Sequence, residues 1–462
     1  MTPPHLTSTQ RSIGAVLDRL PVGRVHRRVV IAVGLGLFFD MYEVFLASSM
    51  NVALGTTFAI SGLQLKLLLA SAFVGMFVGA VCLGRLADRI GRRRAFLLTL
   101  AWYSLWSLIA AFSPNAWFLV FARFMAGIGV GAEYPVGDVY LSDVLPKDKR
   151  GRLATWAYTC SFIAVPVVGF LALWLNAAPP LGIAGWRWLL ALGGLGAVAV
   201  LFLRRRLPES PRWLASAGRN EEAQAALDEF AAGSGVDAEE LRAIEARAGG
   251  VDAEAPEPAQ QRLSRLFRPP YLRRLGMLAV FHLFQTFGYY GFGTLSALVL
   301  VSRSYDVTHS LLFTALSFLG YPLGSLLSTP LIARFERKHL LIAATVAMAI
   351  SGILFATSDS EVLIVVFGFL TTAISNVFSN AFHIYQAEIF PTALRATAVG
   401  WTYSLSRLSS GALPFILLPV LEDYGALPMY LVVSAALLII CAAIGFLGPR
   451  TTRRSLAEIN PA

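Results

Sequence analysis

Two apolar runs, LLLASAFVGMFVGAVCL and AFLLTLAWYSLWSLIAAF, flank Gly84–Arg94 (GRLADRIGRRR), where one acid and five arginines are crowded together. A helix rises about 1.5 Å per residue, so each run is long enough to cross a hydrocarbon core about 30 Å thick. The charged stretch between them is then a short polar turn at a membrane surface. By the same length rule the chain holds twelve such spans, near 29–52, 65–84, 95–113, 116–141, 153–176, 186–203, 274–301, 310–333, 339–357, 362–387, 396–420 and 427–447.

Composition agrees. A 56% hydrophobic share with 14% charged residues and a mean hydropathy of +0.63 leaves a soluble chain too little polar surface to stay in water. The net charge of +10 does not point to nucleic acid, because the basic residues are strung along short loops instead of gathered on one domain. Those loops alternate. Arginine and lysine fill Arg24–Arg28, Arg85–Arg94, Lys147–Arg152, Arg204–Arg206, Arg334–His339, Arg395 and Arg450–Arg454, whereas the opposite loops carry almost none, Arg303 excepted. Positive loops stay on the cytoplasmic side, so both termini are expected there, as an even number of spans also requires. Residues 1–28 read as a polar, basic segment without a cleavable signal. Cys82, Cys160 and Cys441 each lie in an apolar run, which argues against disulfides and metal ligation, and no cofactor is expected.

The expected fold is an all-α polytopic membrane protein, with twelve transmembrane helices in two pseudo-symmetric six-helix bundles. The bundles occupy 29–203 and 273–447, with a hydrophilic linker at 204–272 and a tail at 448–462. Within the linker, NEEAQAALDEFAAG and AEELRAIEARAGG read as short amphipathic helices and VDAEAPEPAQQ as an acidic connector; the whole is expected to be flexible. An internal repeat supports the division. Asp143, Pro146 and Arg150 precede the fifth span as Glu388, Pro391 and Arg395 precede the eleventh; Trp156, Tyr158 and Ser161 recur in register as Trp401, Tyr403 and Ser406. Duplicated halves build transport sites at the bilayer midplane that open to either side by rocking.

An ionisable group inside a span costs roughly 2.5–3.5 kcal/mol on insertion scales, so each needs a reason. The third, ninth and twelfth spans contain no charge and the sixth only Arg187, which suggests that every third helix faces lipid. Asp40 and Glu43 share a face of the first span, and Glu133 lies mid-way along the fourth, just before Pro135. Crowded carboxylates in a low dielectric hold a proton readily, so these three are proton-coupling candidates, the alternative being structural hydrogen-bonded groups. Arg407 in the eleventh span has no acid within a turn, leaving either a bidentate grip on a substrate carboxylate or a salt bridge to Asp40, Glu43 or Glu133. Substrate contacts are also assigned to Tyr42, Gln285, Tyr289, Tyr290, Asn376, Asn380 and Tyr403, an aromatic set with polar handles, although plain packing explains such a stripe equally well. His282 reads as a hydrogen-bonded core residue.

The opening loop, RFMAGIGVG from Arg123, PESPRWL from Pro208 to Leu214, EIFPTALR from Glu388 to Arg395 and the closing RRSLAEI together resemble the sugar-transporter-like branch of the major facilitator superfamily. FFDMYE, GAEYPVG and SLSRLSSGALP are similar to segments of proton-coupled organic-acid carriers of the aromatic-acid and nicotinate type, though the first-span D-G-x-D of the aromatic-acid group is here Asp40-Met-Tyr-Glu43. The resemblance implies gating roles for Gly84, Asp88, Arg89, Gly91, Arg92, Arg123, Asp143, Arg150, Glu209, Arg212, Glu388 and Arg395. RFERKHL after the eighth span lacks the Gly and Asp of the opening loop and implies a degenerate second gate. No phosphate loop, metal-ligand spacing or nucleophile elbow indicates an enzyme. The expectation is a monomeric inner-membrane carrier importing a small organic anion with protons; sugar or organic-cation transport, or nutrient sensing without transport, are the alternatives.

Overall fold

The computed structural model describes residues 8–58, 60–83, 89–248, 264–452 and 456–459, and all regular structure among them is helical. The first six spans lie in Arg24–Phe58, Gly62–Cys82, Arg92–Ala111, Ala116–Val144, Lys147–Ala177 and Gly185–Arg204. The seventh is Tyr271–Ser302, and the eighth is broken at Leu319 into Val307–Phe318 and Gly320–Arg334. The last four are Arg337–Thr357, Glu361–Glu388, Thr392–Tyr424 and Ala426–Leu447. Eleven of these are apolar enough to cross a membrane on hydropathy alone. The seventh, 32 residues long, falls short because His282, Gln285, two tyrosines and three glycines dilute its middle.

Each half packs first on itself. The second span lies on the fourth, the first on the fifth, and the third on the fourth and sixth; the second half pairs the tenth with the eighth and ninth, and the seventh with the eleventh and twelfth. The halves meet through the second and eleventh, the fifth and eighth, and the first and seventh spans. The third, sixth, ninth and twelfth make their main contacts within their own half and expose residues such as Leu105, Leu195, Ile350 and Leu438, matching the expectation from their lack of charge.

Glycine sets the closest approaches. A Cβ on Gly79 would fall 2.0 Å from the Ile128 carbonyl oxygen, and one on Gly131 2.1 Å from that of Met76, so the second and fourth spans touch backbone to backbone. The second half repeats this: a Cβ on Gly324 would lie 2.2 Å from the Ala373 oxygen, joining the eighth and tenth spans. Gly79 and Gly324 are 245 residues apart, as are Asp143 and Glu388, which extends the repeat beyond the motifs that reveal it in the sequence.

Two expectations are corrected. Residues 1–28 are not simply a polar lead-in, because Ser8–Leu17 forms an amphipathic helix that buries Ile13, Val16 and Leu17. Nor is the described part of the linker a loose connector. Its helices Pro211–Ser216, Asn220–Gly233 and Ala238–Ala248 bury Trp213, Leu227, Phe230 and Leu241 in one core with Ser8–Leu17 and the basic-face ends of the first and fourth spans. The acidic stretch at 251–261 lies outside the described residues. Arg303, the exception among the charge-poor loops, donates to the carbonyls of Phe355 (3.2 Å) and Ser358 (2.6 Å). It thereby satisfies the open C-terminal end of the ninth span, as Arg187 does for the third through Ala111 and Ser113.

We expect Gly79→Ala and Gly324→Ala each to destabilise the protein by about 1–3 kcal/mol, the usual penalty of overpacking a tight contact. Gly276→Ala and Gly445→Ala, where an added Cβ meets nothing within 4 Å, should leave melting in detergent unchanged.

Candidate functional site

Six charged side chains meet near mid-depth. Glu43 is ion-paired with Arg123 at 3.1 Å, each side chain only 1% exposed. Glu133 is ion-paired with Arg204, also at 1% exposure each, and accepts a hydrogen bond from Thr99 Oγ1 at 3.0 Å. Arg204 donates from Nε to the Ala32 carbonyl (3.1 Å), and its guanidinium lies 4.4 Å from the Phe96 ring centroid. Gly36 makes room for it: a Cβ there would stand 1.5 Å from Arg204 Nη2. Asp40, one turn further along that face, is 1% exposed and within electrostatic reach of Glu133, Arg204, Arg407 and Glu43. Among the described residues no hydrogen bond or ion pair reaches its Oδ2.

The second half answers with a different set. Arg407, 5% exposed, donates to the hydroxyls of Tyr290 (3.2 Å) and Tyr403 and lies against Met76 of the second span. Edge-on to Tyr403 stands His282, whose Nε2 is 3.3 Å from Gln386 Oε1; the Gln386 amide in turn donates to His383 Nδ1 at 3.1 Å. On the charge-poor side of this centre Phe45 meets Tyr289, Phe318 and Tyr321 edge-to-face, Phe73 meets Tyr290, and Lys66 reaches Glu422 at 3.7 Å, so the halves are closed there. On the basic side, Asp138 (bonded to Tyr158) and His383 are exposed.

A family model described as "Sugar (and other) transporter" matches residues 32–462. The chain belongs to that family, within the major facilitator superfamily. A putative metabolite transport protein of Bacillus subtilis, YyaJ, is 30% identical over 95% of this chain and 96% of its own. The niacin transporter NiaP of Acinetobacter baylyi is 28% identical over 96% and 98%. The xylose transporter XylE of E. coli, solved in a partially occluded inward-open conformation, shares the fold with a TM-score of 0.74 at 19% identity, over 93% of this chain and 99% of that one. The relatives and the fold are those of transporters, not enzymes.

Against this transporter fold the assigned residues sort by place. Arg407 brings Tyr290 and Tyr403 together at the interface between the halves, with Asp40 within its electrostatic reach. Gln285 is half-buried on the seventh span, and Tyr289 belongs to the aromatic closure. Tyr42 turns away from the interface, donating to the Leu189 carbonyl of the sixth span at 2.9 Å with its ring seated over Gly193. Asn376 is spent on the backbone of the broken eighth span through Tyr321 O, and Asn380 bonds Ser325 and Ser328. Two readings of charge change. Glu133 is paired with Arg204, and Arg123, expected among the gating residues, lies deep in the bundle as the counter-ion of Glu43. The choice left open for Arg407 also narrows, since Glu43 and Glu133 each have their own arginine. Sequence reasoning missed Arg204, which it counted with the basic loop; the one hint is that it directly follows the apolar run of the sixth span. Gln386 was missed too, standing three residues from His383.

The gating set lies at the basic face. Glu209 accepts from the backbone N–H groups of Arg92 (2.9 Å) and Arg93 (3.0 Å), capping the third span, and Asp143 accepts from Arg92 Nε (3.4 Å) and Ser210 Oγ (2.9 Å). Gly91, at φ 99°, allows this approach, because a Cβ would sit 2.4 Å from Glu209 Oε2. Arg150 and Arg212 both reach Asp18, at 3.0 and 2.8 Å, tying the N-terminal segment to the bundle. Arg89 is exposed, and Gly84 and Asp88 lie outside the described residues. The second half is not degenerate here: Arg337 pairs with Glu388 at 3.1 Å, as Arg92 does with Asp143 one repeat earlier, and Arg395 donates to Phe390 O as Arg150 does to Leu145 O. Where the first half uses Glu209 as a cap, Glu336 accepts from the tail at Thr451 N (3.0 Å).

Glu43→Gln leaves Arg123 as an uncompensated buried cation and should destabilise the protein by roughly 3–5 kcal/mol; Glu43→Gln with Arg123→Met, which removes both charges, should recover most of that loss. Thermal melting of the purified variants in detergent measures both.

Proposed function

We propose that the protein is a proton-coupled importer of a small organic anion, working by alternating access about the interface between its halves. The observation that carries this reading is the pairing of unlike groups across that interface. Arg407 is buried yet held by neutral tyrosine hydroxyls, and Asp40 lies within its electrostatic reach with, among the described residues, no hydrogen bond to its Oδ2. A guanidinium so placed suits a carboxylate, and the rings of Tyr290, Tyr403 and His282 around it suit a flat, partly apolar body. Niacin, in the name of one relative, is an acid of that kind. Of the three acids, Glu43 and Glu133 are neutralised by Arg123 and Arg204, which leaves Asp40 as the group to take up and release the coupled proton.

By the positive-inside rule, the gathering of the charged loops on one face supports a cytoplasmic placement of that face and of both termini. The closure of the halves on the opposite side then makes this an inward-facing arrangement, with Asp138 and His383 at its inner mouth. An organic-cation substrate is the second reading, favoured by the same free Asp40 carboxyl; in that case Arg407 would be dispensable for binding.

Uptake into proteoliposomes separates these. With nicotinate or benzoate as probe, uptake should follow an imposed inside-alkaline gradient, and indifference to the gradient would refute coupling. Arg407→Ala should weaken carboxylate binding roughly 10- to 100-fold, the worth of lost charge-assisted hydrogen bonds, with Arg407→Lys in between. Asp40→Asn should retain binding and exchange but lose gradient-driven accumulation.

A further inference from the structure

Arg204 lies within electrostatic reach of Asp40 and is not fully hydrogen-bonded. Nη1 is ion-paired with Glu133 and Nε donates to the Ala32 carbonyl, but among the described residues no hydrogen bond is made by Nη1 or by Nη2. Nη2 stands over Gly36, and Asp40 is four residues on, the next position along the same helix face. A buried donor without an acceptor and a buried carboxylate oxygen without a donor thus lie one helical turn apart. A buried polar group left without a partner is unfavourable, so a fold that keeps both near one another gains by letting them meet in some other state. Arg407 is the other cation within reach, but its guanidinium is occupied by Tyr290 and Tyr403.

We propose that Arg204 is a shared counter-ion, resting on Glu133 while Asp40 holds a proton and turning to Asp40 when that proton leaves. The proton goes to water at the basic face, and the cation already present covers the charge left behind. Arg204 is therefore a positioning residue: it touches no substrate and acts by making ionised Asp40 tolerable in a low-dielectric centre. The other titratable groups facing Asp40 are Glu43 on its own helix, Tyr103 of the third span, Glu133 of the fourth and Arg407 of the eleventh. Lys66, which is paired with Glu422, and Cys82 on the second span, Tyr158 and Cys160 on the fifth, Tyr289 and Tyr290 on the seventh, Tyr321 on the eighth and Glu221, Glu222, Asp228 and Glu229 of Asn220–Gly233 stand on the remaining helices packed against the first. None of these supplies a second free cation.

The inference rests on the proton-coupling reading for its consequence, but its test uses the full-length apo protein in detergent and no substrate. Four proteins are compared: wild type, Glu133→Gln, Asp40→Asn, and the two substitutions together. With a shared counter-ion each single variant leaves Arg204 one acid and melts close to wild type, whereas the double variant strands a buried cation and melts far below the sum of the single losses. Additive losses, or a Glu133→Gln variant that fails to fold, would overturn the proposal. Additive losses would count against the exchange even if transport proves proton-driven. A double variant that melts far below the sum, in a protein whose uptake ignores the gradient, would uphold the exchange and sink the transport reading instead.

Discussion

Charge buried among apolar helices governs this molecule. Water is not there to solvate Glu43, Glu133, Arg123 or Arg204, so each must be met by an opposite charge from a different helix, and the helices must come close enough to allow it. Glu43 and Arg123 tie the first span to the fourth, and Glu133 and Arg204 tie the fourth to the sixth. The glycines serve that need: Gly36 clears the seat of Arg204, while Gly79 and Gly131 let the second span lie directly on the fourth. Replacing the pairs by apolar residues would be neutral or stabilising in many proteins, so their presence is better explained by function than by folding.

The two halves share a frame and divide the chemistry. Near the basic face they match almost bond for bond. Arg92 with Asp143 corresponds to Arg337 with Glu388, and Tyr140, which donates to Pro208 O, corresponds to Tyr385, which donates to Pro449 O. At mid-depth the correspondence ends. Glu133 has Phe378 at the repeat-related position and Arg123 has Gly368, so the first half holds the paired charges and the second holds Arg407 with histidine, glutamine and tyrosine. Duplication preserved what positions the helices and let the centre diverge.

That division also explains what could be read without coordinates. Spans, the repeat and the lipid-facing quartet depend on residues near one another in sequence or in strict register, and all were legible. The ion pairs were not, because they join spans that are not consecutive; all that distinguishes Arg204 from its neighbours Arg205 and Arg206 is its place directly after the apolar run, and the helix carries only the first of them inward. Tyr42 illustrates the opposite error. Its neighbours Asp40 and Glu43 invited a place at the site, but a helix turns about 100° per residue, and two positions from Asp40 the side chain faces the sixth span. The short helices at the basic face were visible as amphipathic stretches. Their partner was not, since the matching apolar stripe of Ser8–Leu17 sits in a segment whose charge dominates its appearance.

The loop that first marks the chain as membrane-spanning takes its meaning from these contacts. Gly91 bends so that Glu209 can cap the third span, while Ser210 beside it shares Asp143 with Arg92. Glu209 is only five residues beyond Arg204, the cation at the centre of the first half. A change in how Arg204 is held therefore acts on a segment anchored at both ends: by Glu133 and Ala32 within the bundle, and by the third-span cap at its surface. In the proposed cycle this is the shortest covalent route between the proton site and the basic-face latch. It lies within one half, so under that proposal the charge state of Asp40 would reach the gate without passing through the substrate or the interface.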